Sequence, residues 1–278
     1  MRSTTRRLLA LPVAATLLLG AAACSASDDK PTGGSSAGAT TGTSQETEKP
    51  ADNGGAFELT PANFADMVDK QIDAGTYHTT MTIGAEGQTI NAEGDARLTD
   101  TGAEMTMTMS VPGMDGGMEL RMVAGKLYMN MGELTGDKFY VIDPNDVDDP
   151  LASSFGSSLD QMSVAESMES IKDAIVSVEK AGEPESIDGV DAQPYEVVVD
   201  TTKITGAAGE QFQQAEEAGA TLPATISYVY FVGPDGLPRK MTMDLEGSTT
   251  EMTFSDWGED VTIEAPAKDQ ITDSLGGL

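Results

Sequence analysis

The chain has 278 residues, with 46 acidic side chains against 16 basic ones and a formal net charge of −30. A surface of that sign repels phosphate backbones and anionic headgroups, which argues against nucleic acid as a partner and leaves membrane attachment to something other than charge. A single cysteine, Cys24, excludes an internal disulfide, so the fold must be held by its core.

The chain opens with a basic start, Arg2, Arg6 and Arg7, and an apolar run from Leu8 to Gly20 that is too short for a comfortable membrane span. Ala21, Ala22 and Ala23 then lead directly into Cys24. This junction resembles the lipobox of bacterial lipoprotein signal peptides, in which the cysteine sulfur receives a diacylglyceryl group and becomes the first residue after cleavage. Ala21 stands where that box usually has a large aliphatic residue. Residues 1–23 therefore read as a lipoprotein signal peptide, with Sec and twin-arginine export both open. Its removal takes away three arginines and no acid, so a net −30 becomes −33. Residues 24–56 are rich in Ser, Thr, Gly and Ala and cannot bury enough surface to offset their ordering entropy. They read as a disordered tether with a root-mean-square reach of roughly 30 Å.

Residues 57–278 are enough for one domain with a sizeable core. It begins with a helix signal: Thr60 as N-cap, Pro61 at the first helical position, Phe64, Met67, Val68 and Ile72 on one face, and Gly75 as a stop. Alternating segments follow, "TYHTTMTI", "TINAEGDARL", "AEMTMTMSV", "GMELRMVA", "KLYMNM" and "KFYVID", separated by Gly-containing turns, as expected of an antiparallel meander. The run "DPNDVDDP" reads as a solvated loop, because Val147 occupies a position where calcium would need an oxygen ligand. Val164, Met168, Ile171 and Ile175 are spaced for a further helix face, although "AIVSVEK" would also make a strand. Hairpins are expected at Asp188-Gly189 and around Pro234 to Gly236, with a polar helix from Thr202 to Ala218 between them and a last strand in "STTEMTFSDWG". The count is about ten strands and three or four helices, hence α+β with an antiparallel sheet.

Taken in order, the lipobox, the tether, the amphipathic first helix, the meander, "SIDGVDAQPYEV", "VGPDGLPRKMTM" and "FSDWGEDVTIEAP" resemble the actinobacterial LppX/LprAFG-type lipoproteins. The resemblance implies a strongly curved sheet, an unclosed β-barrel like that of the Lol lipoprotein carriers, with helices covering the concave face and an apolar cavity between. It also implies a non-enzymatic protein, lipid-anchored on the outer face of the cytoplasmic membrane. Such a protein binds acylated glycolipids or other envelope lipids and moves them outward, with an export transporter as a further partner.

The residues offer a physical match to that expectation. Met105, Met107 and Met109, then Met118, Leu120 and Met122, then Leu127 and Met129, then Met241 and Met243, each alternate with polar neighbours, so each set occupies one face of its strand. Thr, Glu and Arg are expected to face water. Methionine is unbranched and flexible, suited to a surface that accepts varied acyl chains, whereas β-branched residues are the default for a well-specified sheet. These ten residues are the candidate cavity lining, and ordinary core beneath the helices is the competing reading. Two other functions use the same chain: a Cu(I) site built on thioether pairs such as Met105 with Met107 or Met129 with Met131, and an envelope sensor or scaffold without a ligand. The only histidine, His78, reads as a strand surface residue, and no nucleophile motif, metal-ligand cluster or cofactor signature stands out. Because sulfur acylation requires Cys24, Cys24→Ser is expected to abolish labelling by a fatty-acid probe and to release the protein from the membrane fraction or leave an uncleaved precursor; full labelling of that variant would contradict the lipoprotein reading.

Overall fold

The computed structural model describes residues 56–272 except 86, 100–101, 113–115, 144–145, 147–170, 218–221 and 246. The signal peptide, Cys24, the tether, most of the acidic run and the helix positions Val164 and Met168 lie outside the described residues. Among the described residues there are thirteen strands rather than about ten, and two α-helices rather than three or four. The extra strands are short pieces that carry little alternation of their own.

Residues Thr76–Ala85, Gln88–Thr99, Gly102–Ser110, Met118–Val123, Lys126–Asn130 and Phe139–Ile142 form β1 to β6, an antiparallel meander as the alternation predicts. Ile175–Lys180 (β7), Glu185–Ile187 (β8), Val190–Asp200 (β9), Thr225–Val232 (β10), Pro238–Leu245 (β11) and Ser248–Ser255 (β12) follow, and Ile271–Thr272 is β13. The sheet order is β13-β6-β5-β4-β3-β2-β1-β12-β11-β10-β9-β7, with β8 pairing β9. β12 pairs β1 and so joins the late hairpins to the early meander, while the path ends at β13 and β7 without closing. The parallel pairing of β13 with β6 is the exception to the antiparallel rule.

Local chemistry explains the turns and ends. Asp188 and Gly189 both have positive φ, at 49° and 78°, which is the two-residue turn that matches strand twist. Ile175 begins a strand instead of ending a helix face: β-branched Ile175, Val176 and Val178 favour extended backbone, and Ile175 and Val178 pair with Val199 and Val197 of β9. At the N-terminal end Pro61–Asn63 form a 3-10 turn, and the α-helix proper, α1, starts at Phe64 and runs to Ala74. Asn63 Oδ1 accepts from the Thr60 N–H at 2.6 Å and its hydroxyl at 2.8 Å, which ties off the turn. The polar second helix, α2, spans Gly206–Glu217.

The core sits between α1 and the inner face of the sheet. Phe64 meets Tyr230 edge-on at 5.9 Å, a geometry worth about 0.5–1.5 kcal/mol beyond area burial. Met67 is 2 % exposed, and with Phe64 it joins Tyr195, Tyr230, Met241 and Met252 of the sheet in one core. The opposite face of β1 to β6 is crossed by the C-terminal segment. Gly258 donates to the Thr76 carbonyl, Arg97 donates to Val261 at 2.7 Å and Arg121 to Glu264 at 3.2 Å. The guanidinium of Arg121 also lies 4.8 Å over the Phe139 ring. These arginines therefore do not simply face water, because the backbone carbonyls of the segment take their place in the solvation shell.

Gly94 of β2 lies where the α1-covered half of the sheet passes into β3 to β6. A Cβ there would be 2.8 Å from Met107 Cα and would collide with the Thr106 carbonyl oxygen, so β2 approaches β3 more closely than any side chain allows. Gly94→Ala is expected to destabilise the domain by about 2 kcal/mol or more, seen as a lowered melting temperature, because backbone rather than a flexible side chain must give way. An unchanged melting temperature would contradict this account of the close approach.

Candidate functional site

Strand register carries each inner-facing residue into a row across the sheet. One row runs Leu127, Met122, Met105, Ala96 and Tyr77. The next runs Met129, Leu120, Met107, Gly94, Thr79 and Phe254. A third runs Met118, Met109, Ala92, Met81, Met252, Met241, Tyr230 and Tyr195. A fourth contains Ile83, Thr250, Met243, Tyr228 and Val197. All ten residues picked from the sequence thus share one face of one continuous sheet.

Their burial divides them. Met241 and Met243, opposite α1, are 2 % and 6 % exposed and belong to the packed core. Met122 is also buried, whereas Met105, Met107, Met109, Met118, Leu120, Leu127 and Met129 are half-buried. A half-buried thioether surface gains less from packing than a filled core and can rearrange at less cost. The sheet therefore grades from close-packed at β10 to β12 to looser at β3 to β5.

Several inner-face residues carry no repeated Met signal and were not among the ten. Met81, Met252, Thr79, Thr250, Tyr77 and Tyr230 are buried among them, and Tyr228 is half-buried. The period-two pattern of "TYHTTMTI" and "TEMTF" puts most of them on that face, but only the register between β1 and β12 makes them neighbours of the methionine strands. Tyr77 packs with Phe254 at 5.9 Å and Trp257 at 4.8 Å. Burial pushes the Tyr77 hydroxyl up to about 12, and it also raises Tyr228 and Tyr230 above the ordinary tyrosine range. These rings stay neutral donors over the physiological range.

Electrostatic structure lies on the other face. His78 Nδ1 is 2.8 Å from Asp95 Oδ1, both half-exposed on the outer side. The histidine is therefore across the sheet from Met105 and Met107 and cannot complete a thioether metal site with them. Lys240 lies 4.1 Å over Phe231 and 2.8 Å from Glu185 on that same outer side.

No protein-family model matches the chain. Over 92 residues the chain is 33% identical to the lipoarabinomannan carrier protein LprG of Mycobacteroides abscessus, a match that takes in 32% of the chain and 37% of that relative, just over a third of its length. Among solved structures, the lipoprotein LppX of Mycobacterium tuberculosis is similar with a TM-score of 0.45 and 14% identity, over 73% of this chain and 99% of that one. LprF of Mycobacterium bovis is similar with a TM-score of 0.46 and 14% identity, over 77% of this chain and 99% of that one. The stretch similar to LprG agrees with the LppX/LprAFG-type resemblance read from the sequence.

Proposed function

We propose that this chain is an extracytoplasmic lipoprotein, anchored through Cys24 on the outer face of the cytoplasmic membrane, that binds acylated lipids against its methionine-rich inner face and carries them through the cell envelope. The observation that carries the reading is the grading of that face: one continuous, mostly apolar surface, tightly packed at Met241 and half-buried at Met105, Met107, Met109, Met118, Leu120 and Met129. Acyl chains need an apolar, adaptable surface and no directional partner, and thioether side chains provide that. The name of the relative LprG, a lipoarabinomannan carrier, supports the same class of ligand. With a net charge of −30 on the whole chain, headgroup charge contributes little attraction and the chains hold the lipid. The tether lets the domain leave the bilayer surface while its anchor stays, and an export transporter in the same membrane is the natural donor. No step of this activity calls for a catalytic group.

Substitution separates a ligand face from ordinary core. Met107→Trp should lower affinity for a fluorescent fatty-acid probe by about tenfold with little loss of melting temperature, because the ring takes up space the chain needs. Met241→Trp, in the packed half, should instead cost about 1–3 kcal/mol of stability. Met107→Leu keeps the apolar volume and should bind the probe like the original chain. Undiminished probe binding in Met107→Trp, or a stability loss equal to that of Met241→Trp, would contradict the proposal.

A further inference from the structure

The described methionines fall into two sets. Met67, Met81, Met122, Met241, Met243 and Met252 are no more than 8 % exposed. Met105, Met107, Met109, Met118 and Met129 are half-buried on the inner face of β3 to β5, and Met131 is half-buried just past the end of β5. Each of these three strands has a hydrogen-bonded neighbour on both sides, so the exposure that remains belongs to the side chains. Met118 is directly opposite Met109, and Met129 shares a row with Met107, so five thioethers gather on adjoining strands. Shape does not demand sulfur there. Leu120 and Leu127 occupy the same rows, so the face accepts a side chain of similar volume without a thioether. What methionine adds is a lone pair that an oxidant can attack once it reaches the sulfur. The only cysteine is Cys24, which leaves the thioethers as the oxidisable sulfur of the folded domain.

We propose that Met105, Met107, Met109, Met118 and Met129 form a methionine-oxidation site whose modification releases the bound lipid. The assignment rests on the lipid-binding reading above and adds a regulation of that same face. The oxidant is hydrogen peroxide. The sulfur lone pair attacks one peroxide oxygen, an S–O bond forms as the O–O bond breaks, and the proton on that oxygen passes to the departing hydroxide, which leaves as water. Sulfur is oxidised by two electrons and the peroxide is reduced by two. The product sulfoxide is polar. Met105, Met107 and Met109 lie opposite Ala96, Gly94 and Ala92 on one side and Met122, Leu120 and Met118 on the other, none of which can donate a hydrogen bond from its side chain. A sulfoxide oxygen set among them beneath an acyl chain is unsatisfied, and departure of the lipid, which admits water to it, removes that cost. The six buried methionines are shielded, so the packed half of the fold outlasts the modification. A thiol-dependent methionine sulfoxide reductase, which forms a disulfide and water as it returns the thioether, makes the change reversible.

The test treats the full chain with limiting hydrogen peroxide and reads sulfoxide at each methionine by peptide mass spectrometry, alongside binding of a fluorescent fatty-acid probe. The five should reach half-oxidation before any of the buried six. Their oxidation should weaken probe binding about tenfold, the size expected of one polar group left unpaired, and reductase treatment should restore it. A variant combining Met105→Leu, Met107→Leu, Met109→Leu, Met118→Leu and Met129→Leu should bind the probe as the original does and keep that affinity through peroxide treatment. Equal oxidation of the two sets, or undiminished probe binding by the original chain once the five are oxidised, overturns the assignment while leaving lipid binding intact. An untreated chain that binds no probe overturns the lipid-binding reading and the release that depends on it.

Discussion

The structure depends on one constraint, the coupling of a two-residue side-chain period to strand register. Once Met105 is set opposite Ala96 on one side and Met122 on the other, every second residue of each strand is committed to the same face, and a slip by one would turn the whole apolar set to solvent. The rows that result are longer than any sequence motif, since they pass from β5 through β1 into β12 and on to β9. An apolar surface of that breadth must be covered, and α1 covers the part nearest β10. Phe64 and Met67 fill that end, which makes it core in the ordinary sense.

The choice of side chains along the rows then separates stability from function. Valines cluster at β9, where Val197 and Val199 are buried and stiff rotamers help to specify a unique packing. Methionines dominate β3 to β5, where burial is incomplete. The C-terminal segment acts on the other face of the sheet, with Arg97 of β2 and Arg121 of β4 bonded to its carbonyls. That arrangement supports β2 and β4 from outside, while on the inner side Met105, Met107 and Met109 pack against the core only half-buried. Exposed ion pairs such as Lys180 with Glu58 add little to this.

Much of this was legible in the sequence where the cause is local. The Asp188-Gly189 turn follows from φ preferences, the meander from alternation, and the shared face of the ten candidates from period two. What could not be read arises from contacts between distant segments. Gly94 looks like any strand glycine until the β3 backbone is placed against it, and Ile175 fits a helix face until β9 offers it a partner. The segment after Trp257 shows no pattern of its own, because its role is to supply backbone carbonyls to two arginines and two residues to the sheet edge. The graded burial of the methionines was likewise hidden, for alternation fixes direction and says nothing of what packs above.

The central claim is that the inner face holds an acylated lipid. Native mass spectrometry of the protein gently released from its own host's membranes tests it most directly, combined with solvent extraction of the same sample. The account predicts a population heavier than the anchored polypeptide by the mass of an acylated species, which the solvent recovers as free lipid. A spectrum containing only the anchored polypeptide, with no lipid in the extract, would contradict it.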